Sequence, residues 1–187
     1  MGWDWYIANN YKNGKIDRKK EIDDICNRNR TQVVKSCLRG TTYYGAIKNI
    51  DTKEVYAVVY LTSTNGREFG YKDMDETMNP YYYDCPESIL KELTPTDNEW
   101  ANFWRKNCYA NIERKKTELN LNKLPIGTKI KFTLTFDTSR NKEGDIVILE
   151  KRRRTAKSTY WVQGGYCYWI RPLMRRVKQE CKIEVLA

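Results

Sequence analysis

GTTYYGAIKNIDTKEVYAVVYLTSTNG, residues 40–66, is the stretch on which the fold turns. Two runs rich in β-branched and aromatic residues, Thr42–Ile50 and Glu54–Thr64, flank the short polar segment Asp51-Thr52-Lys53. Runs of this kind, bounded by turn residues, read as paired antiparallel strands. Asn65-Gly66 closes the second run with a residue pair suited to positive φ. Upstream, Gln32–Leu38 is a third β-rich run, and residues 3–8 are a short fourth. Between them Asp17 can cap a helix reaching about Asn27, with Ile22 and Ile25 on its buried face. An antiparallel sheet with packed helices follows for the first part of the chain.

Downstream, FGYKDMDETMNPYYYDCPES (residues 69–88) has no clear period. Pro86 opens a short helix with Asp84 or Cys85 as its cap. Pro95 ends it. Thr96-Asp97-Asn98-Glu99 fits a capping box ahead of a second helix that reaches about Lys116. Trp100, Phe103, Trp104 and Cys108 fall at i, i+3, i+4 and i+8 and read as one apolar stripe. Residues 117–124 are polar and asparagine-rich, and 119–124 read as a linker. After Pro125 the pattern turns to β: Thr128–Phe136 alternates, and Ile146–Leu149, Tyr160–Gln163, Tyr166–Ile170 and Lys182–Val185 are further short runs, with Gly164-Gly165 as a hairpin turn. The expected organisation is α+β: a domain over residues 1–118, the linker, and a small SH3-like or OB-like β-barrel over 125–187.

Composition narrows the function classes. The 187 residues include 24 aromatics among 40% hydrophobic residues, enough for a core and unlike a disordered chain. Net charge is +10, and it is lopsided. Residues 1–118 hold 19 Lys/Arg against 18 Asp/Glu, whereas 119–187 hold 15 against 6. Such asymmetry points to a polyanionic partner. Cysteines stand at 26, 37, 85, 108, 167 and 181, with no Cys-x-x-Cys pair and no histidine anywhere, so no cofactor or metal centre is expected. No apolar run approaches the length of a membrane span, and the first ten residues lack the pattern of a signal peptide. The reducing cytoplasm is the expected compartment.

The runs YKNGKIDRK (11–19), GTTYYGAIKN (40–49), FGYKDMDET (69–77), PYYYDCPESIL (80–90), LTPTDNEWANFWRKNC (93–108) and LPIGTKIKF (124–132) resemble a family of small uncharacterised proteins. That family is carried by phages, plasmids and conjugative elements of Gram-positive bacteria. The resemblance covers most of residues 1–132 and carries over no site residues. It implies context: an accessory protein of a mobile element that evades antiviral defence, most concretely an anti-CRISPR protein inhibiting Cas9 or its guide RNA.

Four constellations are candidates for function. The first is a basic, aromatic surface: Lys151, Arg152, Arg153, Arg154, Lys157, Tyr160, Trp161, Trp169, Arg171, Arg175 and Arg176. Cations neutralise phosphates and release counterions, and aromatic faces stack unpaired bases. RNA is the favoured nucleic acid, with a nucleic-acid-binding defence protein such as Cas9 as the other partner. The bland alternative is that half of these aromatics fill the barrel. The second is an acidic, tyrosine-rich segment, in which Asp73, Asp75, Glu76 and Asp84 would contact a partner's basic groove, a divalent metal on the same four acids being the lesser alternative. Acids at helix N-termini explain others in that segment. The third is nuclease chemistry at Glu180-Cys181-Lys182 with Asp137 or Asp145, a weak pattern. The fourth is a nucleophilic Cys85 or Cys108, against which a buried thiol is the simpler reading. Binding is favoured over catalysis. The alternatives are a nuclease, or a factor promoting guide-RNA cleavage, and a general nucleic-acid-binding protein of the element.

Overall fold

The computed structural model describes residues 2–78, 80, 82–134, 137, 140–156, 158–164, 166–168 and 183–186. The chain is mixed helix and strand, built mostly of antiparallel sheet. It divides into two compact units, Met1–Ile112 and Glu113–Ala187.

The first unit holds seven strands: β1 (Asp4–Ile7), the small β2–β3 hairpin (Tyr11–Lys12, Lys15–Ile16), β4 (Thr31–Arg39), β5 (Thr42–Asn49), β6 (Val55–Asn65) and β7 (Glu68–Asp75). Five of them form an antiparallel sheet in the order β1-β7-β6-β5-β4. The hairpin at 51–53 joins β5 to β6, and Asn49 tightens it by accepting from the Asp51 and Thr52 amides at 2.8 and 3.2 Å. Both faces of this sheet are covered. Helix α1 (Arg18–Cys26) packs Ile22 and Cys26 against Tyr43, Ile47, Tyr60 and Phe69 on one side. On the other side α2 (Glu87–Leu90) and the start of α3 (Glu99–Lys123) pack Ile89, Leu90, Trp104 and Cys108 against Tyr44, Ala46, Ala57 and Val59. A strand flanked on both faces buries every residue in turn, which is why Thr42–Ile47 is buried without alternation. The edge strand β1 lays Trp5 over Gly70; a Cβ at Gly70 would stand 2.7 Å from the indole, so only glycine fits beneath it.

Strand β7 falls in the stretch that has no period in the sequence. It is a full ladder partner of β6 from Val58↔Asp75 to Asn65↔Glu68. Its pattern is hidden because Phe69 and Met74 are buried while charged residues sit between them at the sheet's margin. Helix α2 begins with Pro86 in the cap position and no side-chain cap, in place of Asp84 or Cys85. Helix α3 is capped by Asn98, which accepts from the Ala101 amide at 3.0 Å, rather than by Thr96. Its buried stripe is Ala101, Trp104 and Cys108; Trp100 and Phe103 are 60% and 50% exposed.

Helix α3 continues to Lys123, seven residues past the expected end, so residues 119–123 of the expected linker are helix. The two units meet between Ile112 and Glu113, six residues before the boundary expected at 118. Divided there, the first unit has 16 Lys/Arg and 16 Asp/Glu, and the second has 18 against 8. The whole excess of +10 belongs to the second unit.

The second unit is an antiparallel sheet in the order β11-β10-β9-β8-β12: β8 (Lys129–Thr133), β9 (Ile146–Thr155), β10 (Ser158–Gln163), β11 (Tyr166–Tyr168) and β12 (Ile183–Leu186). One face buries Ile130, Phe132, Val147, Leu149 and Trp161, together with Leu121 from the last turns of α3. No closed barrel is formed among the described residues; β11 and β12 are the two edges of an open sheet. The helix end supplies the cover that closure would otherwise provide.

Candidate nucleic-acid interface

The basic run 151–154 is part of β9. The strand extends six residues beyond the apolar core Ile146–Leu149, through Thr155. Strand β8 accompanies it only as far as Lys129↔Glu150, after which the Lys151 amide and carbonyl bond to Thr128 and Gly127 at 2.8 Å each. Beyond that point β10 is its partner, through Arg152↔Tyr160, Arg153↔Thr159 and Thr155↔Ser158. Residues 152–156 are exposed. The arginines therefore stand on a two-stranded hairpin that leaves the sheet.

Strand geometry sends neighbouring side chains to opposite faces. Lys151 follows Val147 and Leu149 inward and is 2% exposed. Its Nζ donates to the Asn122 and Leu124 carbonyls at 2.7 Å each and to the Leu121 carbonyl at 3.4 Å. These lie at the C-terminus of α3, where carbonyls lack intrahelical partners and the helix dipole favours a cation. Burial draws the amine below the usual lysine value. Lys151 is a helix cap and takes no part in the exposed surface.

Arg152 faces the other way. Its Nε and Nη2 donate to the Glu150 carboxylate at 3.1 and 3.3 Å, and it is 57% exposed. This pairing holds Glu150 below the usual carboxylate range. Arg153 returns to the face of Lys151 but lies beyond the helix end, exposed and with no ion pair among the described residues. Arg154 is exposed and falls at an irregularity in the ladder, between Arg153↔Thr159 and Thr155↔Ser158. At the tip the Thr155 and Ser158 hydroxyls are 2.6 Å apart.

The aromatics separate in the same manner. Trp161 is 1% exposed and belongs to the core, so it offers no face for stacking. Tyr160 is half-buried beside Arg152. Lys157, Trp169, Arg171, Arg175 and Arg176 lie outside the described residues. So does the Glu180-Cys181-Lys182 pattern.

Three of the four acids expected to make a second surface hold local structure. Glu76 is buried and forks Arg105, whose Nε and Nη2 donate at 2.7 and 2.6 Å while Nη1 donates to the Thr94 carbonyl at 2.6 Å. Asp75 accepts from the Thr77 amide and hydroxyl and shapes the 3-10 turn at Glu76–Met78. Asp84 accepts from Asn111 Nδ2. Asp73 is exposed on β7. Among the described residues no three acids or thiols gather in a way that could hold a metal. A cleft of about 300 Å³ opens beside Glu54, Tyr56, Asp75, Thr96, Asn98 and Arg105, but the Arg105–Glu76 fork in its wall is turned to structure.

Burial raises the thiols of Cys26 to about 11 and Cys108 to about 12, and it raises Cys85 and Cys37 as well. None of these is a ready nucleophile. Asp137 and Asp145 clasp a turn: Asp137 accepts from the Glu143 amide at 2.9 Å and Asp145 from the Lys142 amide at 2.7 Å. One buried carboxylate carries no signal in the sequence. Glu21 accepts from the Tyr6 hydroxyl and the Asn9 and Asn10 amides, tying the chain after β1 to α1. It reads there as one more polar residue in a charged helix.

No curated protein and no solved structure matches the chain. Residues 95–172, which take in α3, β8–β11 and the arginine hairpin, match the family model of a domain of unknown function, DUF6927.

Proposed function

We propose that this is a binding protein that engages nucleic acid, bare or held in a nucleoprotein, through the β9–β10 hairpin of its second unit. The observation that carries the reading is the run of exposed arginines 152–154 on a hairpin, in a unit that holds the entire net charge of +10. Exposed arginines lose little hydration when they meet phosphate, and each phosphate neutralised releases counterions. Raised, buried thiols favour binding over nucleophilic catalysis. The resemblance to mobile-element proteins extends this to a partner: a host-defence nucleoprotein such as Cas9 with its guide RNA, which the protein would inhibit.

Salt titration tests the first part. Affinity for a 20-nucleotide RNA or DNA should fall steeply between about 50 and 200 mM salt. Replacing Arg152, Arg153 and Arg154 by Ala should flatten the slope by about 0.9 for each phosphate no longer neutralised. Binding that is absent, or insensitive to salt, overturns it. A pull-down with Cas9, with and without guide RNA, followed by a DNA-cleavage assay tests the second part. Complex formation with loss of cleavage supports inhibition; normal cleavage without a complex overturns it.

A further inference from the structure

We infer that the β9–β10 hairpin enters the major groove of duplex DNA. This rests on the nucleic-acid reading above and names its substrate class. The three arginines do not form a flat basic patch. Arg152 leaves one face of the ribbon and Arg153 the other, and the ladder is irregular at Arg154. A flat partner meets only one of those faces. A groove has phosphates along both walls and meets both at once.

The dimensions agree. Residues 152–155 span about 10 Å at strand rise, and a major groove is about 8.5 Å deep and about 12 Å wide, a width that admits a two-stranded ribbon. The hairpin root can therefore lie at the phosphate rim while its tip reaches the base edges. Among the described residues the tip presents Thr155, Ala156 and Ser158, small residues with two hydroxyls and no bulky apolar wedge. A wedge is the device by which minor-groove binders pry base steps apart. The major groove of an RNA duplex is deep and too narrow for side chains to read. Single strands are bound by stacking on exposed aromatic faces, and Trp161, the tryptophan nearest the arginines in the ladder, is sealed in the core. Duplex DNA is the polyanion whose shape this hairpin matches.

The test uses the full chain against a 20-base-pair DNA duplex, the RNA duplex of the same sequence, and the single strands, at fixed salt. Methyl green, which occupies the major groove, and netropsin, which occupies the minor groove, serve as competitors. Duplex DNA should bind at least about tenfold more tightly than the others, with methyl green displacing the protein and netropsin leaving it bound. Arg153→Ala and Arg154→Ala should each weaken duplex binding about three- to tenfold and lower the salt slope by about one. Lys142→Ala, an exposed cation away from the hairpin, should change affinity less than twofold. Circular dichroism of each variant should match wild type. Equal or tighter binding to RNA or single strands, displacement by netropsin, or arginine variants no weaker than Lys142→Ala overturns the groove inference while leaving nucleic-acid binding intact. Failure to bind any of the four probes overturns both.

Discussion

Arg105 and Arg152 grip a glutamate in the same way, each with two guanidinium nitrogens, but in opposite surroundings. Arg105 and Glu76 are 14% and 3% exposed and hold the 3-10 turn after β7 against α3. Arg152 and Glu150 are 57% and 32% exposed at the root of a hairpin. The same chemistry is architecture in the first unit and accessible charge in the second. The difference extends to whole units: one balances 16 cations with 16 anions, and the other carries 18 against 8. Burial, which sequence composition does not report, separates a charge that holds the fold from one that faces solvent.

The largest expected effect comes from breaking the buried pair. Arg105→Ala leaves Glu76 sealed without its counter-charge and should destabilise the protein by about 3–5 kcal/mol, measured by urea denaturation. Arg153→Ala should leave the same curve unmoved. Equal shifts in both variants would erase the contrast between the units.

Lys151 sharpens the comparison from inside the basic cluster. Lys151→Met keeps much of the side chain's volume and removes the cation at the end of α3. It should cost about 1–3 kcal/mol through the carbonyls of Leu121, Asn122 and Leu124. Its affinity for nucleic acid should match wild type under conditions where it remains folded. A variant that binds more weakly yet is fully stable would return Lys151 to the binding surface.

The smallest and most gradual effect is alkaline. Burial raises Cys26 from 9.0 to about 11, and it raises Tyr43, Tyr44 and Tyr60 above 10.0. In this window the unfolded chain loses these protons first and so binds fewer than the folded chain. Stability then falls as pH rises. The melting temperature should hold to about pH 8.5, decline from about pH 9 and fall more steeply above about pH 10. A flat profile to about pH 11 would mean that these groups are open to solvent.

Part of this fold is legible in the chain. The turn chemistry at 51–53 and 65–66, and the β-rich runs around it, mark the hairpins of the first sheet because local backbone preference and burial agree there. Strand β7 is not legible, since its partners on both sides set its burial and no simple alternation results. The helical course of 119–123 is hidden because its polar composition resembles a linker, whereas Leu121, with Leu124 just beyond the helix, anchors it to the second core. The acids at 73–84 look like one surface because they are near in sequence; Asp73 and Asp75 lie on a strand, Glu76 is buried in the turn that follows it, and Asp84 lies in a loop.

The sequence by itself determined that the chain is an antiparallel α+β protein with its positive charge at the C-terminal end, because turn residues, β-propensity and charge are local properties. Only the tertiary structure decided which of those cations are buried and which exposed. Strand alternation and the end of α3 draw Lys151 inward as a cap, and the loss of β8 as a neighbour leaves Arg152, Arg153 and Arg154 on an exposed hairpin. Four consecutive cations that look equivalent along the chain are divided by what lies above and below them, and that depends on residues 27–30 positions away.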